Sequence, residues 1–164
     1  DTWRWSGVPI LLRTGKRLSR RVSEIAVQFK EPPLRLFSRS GHPADRNTLI
    51  IRIPPDEGIT LNMNAKIPGY STETRPGNMD FTYGSAFGES PPEAYERLIL
   101  DALVGDSTLY TRRDEIEASW TFITRILKGW EEDPAKPAPY TPGSAGPEET
   151  KLLTQREGLK WRKL

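Results

Sequence analysis

The sequence predicts an α+β protein: a largely antiparallel sheet with helices packed on one face. In the first two-thirds of its 164 residues, apolar and polar side chains alternate with a period of two, as in half-buried strands. Short links rich in Pro and Gly join these runs, which is typical of antiparallel neighbours. Two amphipathic helical patterns follow, so strands and helices are segregated along the chain, as this class requires.

The strand region contains four clear alternating runs and a weaker fifth. The cleanest run has one apolar face and one wholly polar face, which carries Asn62 and Asn64. This polar face suits either solvent or a neighbouring subunit. The runs cover residues 8–12, 25–29, 49–53, 59–65 and 79–83, and the main turns between them cover 15–20, 54–58 and 69–78.

Both predicted helices have an apolar stripe and a recognisable start. The Ser-Pro-Pro-Glu run at 90–93 is a capping box that opens the first helix, and Gly105 is a natural stop. The second helix is expected to begin near Thr111, whose hydroxyl is a suitable cap, with Asp114 in the first turn. The stripes consist of Tyr95, Leu98, Ile99, Ala102 and Leu103 in the first helix and of Ile116, Trp120, Ile123, Leu127 and Trp130 in the second.

The C-terminal part of the chain differs in composition. Five prolines within residues 134–147 predict an extended segment, and a short helix is expected over 147–156. Tyr140 and Trp161 favour a tail that docks on the protein, and a disordered tail is the alternative interpretation. The sequence is therefore divided into a domain of residues 1–133 and a docked tail of residues 134–164.

Composition excludes several classes of function. Cysteine is absent, which excludes disulfides, thiolate metal sites and a cysteine nucleophile. The single histidine, His42, lies in a Gly-His-Pro loop and suits a surface position better than the role of a base, so no metal site is expected. No apolar run reaches the roughly 18 residues of a membrane span. The near balance of 24 Lys+Arg against 22 Asp+Glu argues against a nucleic-acid grip over the whole surface.

The densest charge cluster, here called the basic bend, spans residues 13–21 and holds five cations around Gly15. Lysine offers a phosphate a compact charge and arginine offers it a planar fork. A phosphate site is one interpretation, a solvated turn without ligand is the other, and charge alone leaves both open. Elsewhere, Arg52 suits an anion or a salt bridge to a neighbouring strand, Asp80 suits a ribose or a turn cap, and Asp101 suits a salt bridge from its helix to a loop.

Six sequence blocks, taken in order, carry a resemblance to a known family. The first reads Trp-Ser-Gly-Val-Pro-Ile-Leu-Leu-Arg-Thr-Gly-Lys-Arg-Leu and includes residues 13–18 of the basic bend. Together the blocks span residues 5–147, nearly the whole length of the chain, and they resemble the C-terminal portion of the glucose-6-phosphate dehydrogenase family. They lie at residues 5–18, 24–29, 47–53, 91–102, 111–115 and 140–147.

The resemblance implies an NADP-dependent oxidoreductase of the oxidative pentose phosphate pathway. The family oxidises the C1 hydroxyl of glucose 6-phosphate to a lactone and passes the hydride to NADP. Its nucleotide fold, which binds the NADP, its catalytic histidine and its His-bearing phosphate motif lie upstream of the six blocks. We therefore expect no catalytic residue in this chain, no activity of the chain alone, and no inherited role for His42. The resemblance also implies a cytoplasmic homo-oligomer, a dimer or tetramer, paired through the sheet.

Particular residues match family positions. Lys16 and Arg21 match positions that contact the sugar phosphate, so the resemblance implies a substrate-binding role for both. Some family members hold a second, structural NADP beside the sheet, and Arg13, Arg52 and Asp80 match parts of that site.

The chain also departs from the family's pattern. Pro54 stands near a position where the family often has a substrate-supporting Gln, and proline has no side-chain donor to replace it. Four small or neutral residues stand where charged partners of the structural NADP are expected, which argues against a second nucleotide here. These are Val22, Ala26, Asn62 and Ala145.

Two alternatives belong to other functional classes. The first is a non-catalytic relative that uses the sheet as a binding or scaffold module, which the departures above favour. The second is a nucleic-acid binder that uses the basic bend. It is the weaker of the two, because residues 13–21 contain no aromatic side chain interleaved with the cations.

Overall fold

The computed structural model describes residues 3–31, 33–34, 46–54, 56–70, 72–88, 94–155 and 158–162. The chain forms two compact units. The terminal unit combines Asp1–Val22 with Pro137–Leu164, and the sheet unit is Ser23–Lys136. The division into a domain of residues 1–133 and a separate tail stays a prediction.

The sheet unit contains a four-stranded antiparallel meander in the described ranges. Each strand pairs with its neighbour in sequence, in the order β1-β2-β3-β4. This arrangement confirms the α+β class and the antiparallel sheet. The strands are β1 Ser23–Gln28, β2 Thr48–Ile53, β3 Gly58–Lys66 and β4 Thr74–Thr82.

The register gives the sheet one apolar and one polar face. On the apolar face, Ile25, Ile51, Ile59 and Phe81 form one row across all four strands. Each of these side chains is 37–52% exposed. Burial instead occurs on the polar face, where Ile50 and Thr60 lie opposite each other and are 3% and 6% exposed.

Two of the strand predictions were wrong. Residues 8–12 alternate as a strand would, but in the described chain they belong to no strand, and Ile10 and Leu12 are largely exposed. Alternation alone does not supply the neighbouring backbone that a strand needs, and Pro9 removes one donor. In addition, β4 begins at Thr74, inside the segment predicted as a turn, because β3 and β4 pair along their full length.

A short helix that the sequence pattern did not predict follows β4. This helix, α1 (Tyr83–Phe87), ends at Gly88, whose positive φ of 70° lets its N–H reach the Gly84 carbonyl. Phe81 of β4 makes edge-to-face contacts with Tyr83 and Phe87, at ring-centroid distances of 5.0 and 6.3 Å. These aromatic contacts pack α1 against the end of β4.

The longer helices leave their apolar stripes uncovered. They are α2 (Ala94–Val104) and α3 (Arg113–Glu132), and α2 ends at Gly105 as predicted, with a φ of 76°. Leu103 is 80% exposed and Trp130 is 69% exposed. In the described residues, α1 is the helix that packs on the sheet, so the expected packing of α2 and α3 is not observed. An apolar stripe predicts that one face of a helix is buried, but it does not specify the element against which that face packs.

The helix starts also differ in detail from the prediction. The capping box at 90–93 lies outside the described residues. The N-cap of α3 is Arg112, without a side-chain capping bond, so the proposed cap at Thr111 was wrong. Arg112 instead pairs with Asp114 in a bidentate contact of 2.8–3.0 Å.

Two exposed carboxyl groups near the α2–α3 link have lowered pKa values. The hydroxyl of Thr108 lowers the pKa of Asp106 below its ordinary 3.8, with help from the Thr108 amide. Arg112 lowers the pKa of Asp114 in the same direction. A folded-state pKa below the unfolded value stabilises the fold above pH 3.8. That contribution is lost as the pH falls through the lowered value.

The terminal unit contains α4 (Thr150–Gln155), a shorter version of the helix expected over 147–156. It begins three residues later because residues 147–149 form a turn, in which the Thr150 hydroxyl donates to the Pro147 carbonyl. Trp161 Nε1 donates to the Thr150 carbonyl over 3.0 Å, which fixes the last residues of the tail on α4.

Candidate functional site

The basic bend lies in the terminal unit and presents its cations to solvent. Lys16 and Arg21, the two residues matched to sugar-phosphate contacts, are both exposed. Arg17, which lies between them, is a non-glycine residue with a positive φ of +56°. This left-handed conformation costs a non-glycine residue about 1–2 kcal/mol, so something must hold it in place.

The C-terminal tail supplies that restraint through three hydrogen bonds. The Tyr140 hydroxyl donates to the Lys16 carbonyl over 2.7 Å. The Gly143 N–H donates to the Arg17 carbonyl over 2.7 Å, and the Ser19 N–H donates to the Ser144 carbonyl over 2.9 Å. These bonds join tail residues 140–144 to consecutive parts of the basic bend.

Gly15 completes the contact between the bend and the tail. A Cβ atom built on Gly15 would lie 3.4 Å from the Tyr140 hydroxyl and 3.5 Å from Leu18. These are ordinary van der Waals distances, so Gly15 lies beside the Tyr140 side chain of the tail.

Arg13, at the start of the bend, is held by the end of the tail. One guanidinium nitrogen donates to the Arg162 carbonyl over 3.1 Å. The guanidinium carbon lies 5.2 Å from the centre of the Trp161 ring, a cation–π distance. Arg13 is thus a structural contact of the terminal unit, which separates it from the exposed Lys16 and Arg21.

Arg52 and Asp80 meet through a threonine on the polar face of the sheet. The Arg52 Nη1 donates to the Thr60 hydroxyl oxygen over 2.6 Å, and that hydroxyl donates to Asp80 Oδ1 over 2.6 Å. Arg52 pairs in register with Gly58, which has no side chain to block the path of the guanidinium. Thr60 is buried, and its hydroxyl group forms hydrogen bonds with a cationic and an anionic side chain at the same time.

Removing the Thr60 hydroxyl is expected to destabilise the sheet unit. Thr60→Val keeps the shape but leaves Arg52 and Asp80 without their shared partner, which costs about 1–3 kcal/mol. Denaturant unfolding followed by circular dichroism measures the change. Thr48→Val in β2 removes a longer, exposed hydroxyl contact of 3.2 Å and serves as the matched control. Equal stability of the two variants would contradict the assigned role of Thr60.

The residues matched to a structural NADP each have a contact within the chain. One guanidinium nitrogen of Arg13 donates to the Arg162 carbonyl, one of Arg52 donates to the Thr60 hydroxyl, and one oxygen of Asp80 accepts from that hydroxyl. The expectation that no second nucleotide binds here stays a prediction.

Two of the other candidate residues, Pro54 and Asp101, lie outside the basic bend. Pro54 lies in the exposed turn after β2, and His42 lies outside the described residues. Asp101 is 2% exposed on α2 and pairs with Arg97 at 2.8 Å, so the expected bridge to a loop was wrong and the described salt bridge lies within the helix, where residues four apart share one face. In the described ranges, no group of three or more acidic or histidine side chains could hold a metal ion. No helix there is long and apolar enough to cross a membrane.

Sequence reasoning did not assign two residues to the site. Thr60 offered no individual signal, because its bridging role depends on the register of three strands. Tyr140 was noted as a docking residue, but its partner, the Lys16 backbone, could not be read from a pattern.

The chain is similar in sequence to one family of known proteins. The family described as "Glucose-6-phosphate dehydrogenase, C-terminal domain" matches residues 1–162. The chain is 46% identical to glucose-6-phosphate 1-dehydrogenase of Chlamydia pneumoniae over 165 residues, covering 98% of this chain and 32% of that protein. It is also 46% identical to the Mycolicibacterium smegmatis enzyme over 159 residues, covering 97% of this chain and 32% of the relative.

Solved structures show the same relationship. One is a glucose-6-phosphate dehydrogenase in complex with its substrate glucose 6-phosphate, with a TM-score of 0.73, 38% identity, and coverage of 96% of this chain and 32% of that chain. Another is the glucose-6-phosphate 1-dehydrogenase of Mycobacterium avium, with a TM-score of 0.78, 32% identity, and coverage of 100% and 33%. The chain spans about a third of the length of the relatives that it matches.

Proposed function

The chain belongs to the glucose-6-phosphate dehydrogenase family, as its C-terminal domain, and from this premise we propose that it forms the substrate side of an NADP-dependent enzyme. That enzyme converts glucose 6-phosphate to 6-phosphogluconolactone. In this role the chain binds the sugar phosphate and contributes to the oligomer interface. It supplies no catalytic base, so the 164-residue chain is inactive alone.

The geometry of the basic bend is the observation that carries this proposal. Lys16 and Arg21 are exposed cations on a bend whose backbone is fixed by the tail, whereas Arg13 is engaged elsewhere. A phosphate gains most from cations that are free to meet it and are positioned in advance. Arg17 and Arg20 of the bend are exposed as well, and the family resemblance is what selects Lys16 and Arg21 as the proposed phosphate ligands.

The division of chemical work follows from the side chains present. Lys16 provides a compact charge for one phosphate oxygen, and Arg21 provides a planar fork for two. Both groups hold the end of the hexose far from C1, so they orient the sugar and take no part in moving the hydride. NADP, when bound to the family's nucleotide fold, accepts that hydride.

The oligomer interface is proposed on the polar face of the sheet. Asn62 and Asn64 lie on this face of β3. An amide-rich face of this kind suits pairing with a second copy. The proposed assembly is a cytoplasmic dimer or tetramer.

The test is an assay of the full-length gene product that contains this chain. We expect a folded, oligomeric preparation to form NADPH from glucose 6-phosphate and NADP, with light scattering giving the mass of a dimer or tetramer. A folded oligomer that forms no NADPH would reject the dehydrogenase proposal and favour the non-catalytic scaffold. An active monomer would reject the interface alone.

A further inference from the structure

We propose that the tail segment of residues 140–144 positions the sugar-phosphate cations, and that Tyr140 is its positioning residue. This inference rests on the proposed function, because it concerns the same phosphate site. It assigns a function-linked role to residues that follow Lys16 by more than 120 positions in the sequence.

Arg17 has a backbone conformation that a non-glycine residue seldom adopts. A non-glycine residue stays at a φ of +56° only where its surroundings determine its backbone. Here the carbonyl of Arg17 accepts the Gly143 N–H over 2.7 Å, and Gly143 itself has a φ of 83°. The strained residue and its restraint therefore lie in the bend and the tail, respectively.

The hydrogen bond from Tyr140 lies directly at a proposed phosphate ligand. The Tyr140 hydroxyl binds the carbonyl of Lys16, the proposed phosphate ligand itself. With the bond from Ser19 to Ser144, the tail restrains the chain on both sides of Arg17. The backbone that carries Lys16 is thereby fixed before any ligand arrives.

Removal of the hydroxyl should let this backbone relax. The described hydrogen bonds from the tail go to backbone groups of the bend and leave the Lys16 and Arg21 side chains exposed. Its effect on a phosphate is therefore indirect, through the position of the cations. A loss of positioning weakens phosphate binding and leaves hydride transfer unchanged.

The experiment compares Tyr140→Phe with the unchanged full-length enzyme. We expect the KM for glucose 6-phosphate to rise about threefold to tenfold, the effect of one lost hydrogen bond, with kcat nearly unchanged. The inhibition constant of inorganic phosphate should rise by the same factor. The kcat/KM for glucose, which lacks the phosphate, should stay constant. A merely structural defect would change the rates with both sugars.

Tyr110→Phe is the matched control. The Tyr110 hydroxyl also donates to a backbone carbonyl, that of Leu98 in the sheet unit, and it is similarly exposed. Amide hydrogen exchange adds a direct structural readout, in which Tyr140→Phe should speed exchange at Gly143 and Ser19 while Tyr110→Phe does not.

The outcomes separate this inference from the function on which it rests. A raised KM for Lys16→Ala together with an unchanged KM for Tyr140→Phe would overturn the positioning role alone. An unchanged KM for Lys16→Ala would remove the phosphate site from the bend, and the positioning role with it. Equal effects of Tyr140→Phe on glucose and on glucose 6-phosphate would also overturn it.

Discussion

Lys16→Ala in the full-length enzyme is expected to raise the KM for glucose 6-phosphate about tenfold or more. A hydrogen bond to a charged group contributes about 1.5–3 kcal/mol, and each 1.4 kcal/mol corresponds to roughly a factor of ten in binding. The phosphate is present in the ground state and in the transition state alike. The loss should therefore appear in KM, with kcat and the KM for NADP changing little.

The control for this prediction is Lys128→Ala. Lys128 is an exposed lysine on α3, so its replacement makes the same change in net charge outside the bend. Steady-state kinetics at constant ionic strength compare the two variants, because a general electrostatic effect would act on both. An unchanged KM for Lys16→Ala, or an equal rise for Lys128→Ala, would remove Lys16 from the phosphate site.

Gly58→Ala is expected to destabilise the sheet, because the added methyl group has no room between β4 and Arg52. The new Cβ would lie 2.5 Å from the Phe81 carbonyl oxygen and 2.4 Å from Arg52 Nη2. The carbonyl belongs to the paired backbone of β4 and cannot move without disturbing the sheet, while the guanidinium would leave Thr60. Overpacking of this kind costs about 1–3 kcal/mol.

The matched control is Gly77→Ala in β4 of the same sheet. A Cβ on Gly77 meets nothing within 4 Å, so this variant should be as stable as the parent or slightly more stable. Thermal unfolding should show a fall of roughly 2–4 °C for each kcal/mol lost in Gly58→Ala. Equal melting temperatures of the two variants would show that a Cβ atom at Gly58 does not clash with the Phe81 carbonyl or with Arg52.

The period-two pattern predicted the part of the fold that is local. Residues 49–53 and 59–65 alternate cleanly, and both form strands because each has a neighbour to pair with. Residues 8–12 alternate equally well and form none. The difference lies in the presence of a partner strand, which alternation within one segment does not encode.

The candidate site was predictable to a similar depth. The charge density and the glycine at position 15 marked the basic bend, and the family resemblance singled out Lys16 and Arg21. The left-handed Arg17 and the bond from Tyr140 arise from contacts between segments more than 120 residues apart, which no local rule describes. Likewise, the bridge from Arg52 to Asp80 needed a strand register to become visible.

A crystal structure of the full-length enzyme with glucose 6-phosphate would locate the phosphate relative to the basic bend. We expect the phosphate oxygens to lie within about 2.7–3.2 Å of Lys16 Nζ and the Arg21 guanidinium, beside a bend still held by Tyr140. A phosphate bound away from residues 13–21 in a catalytically active preparation would contradict the proposed phosphate site.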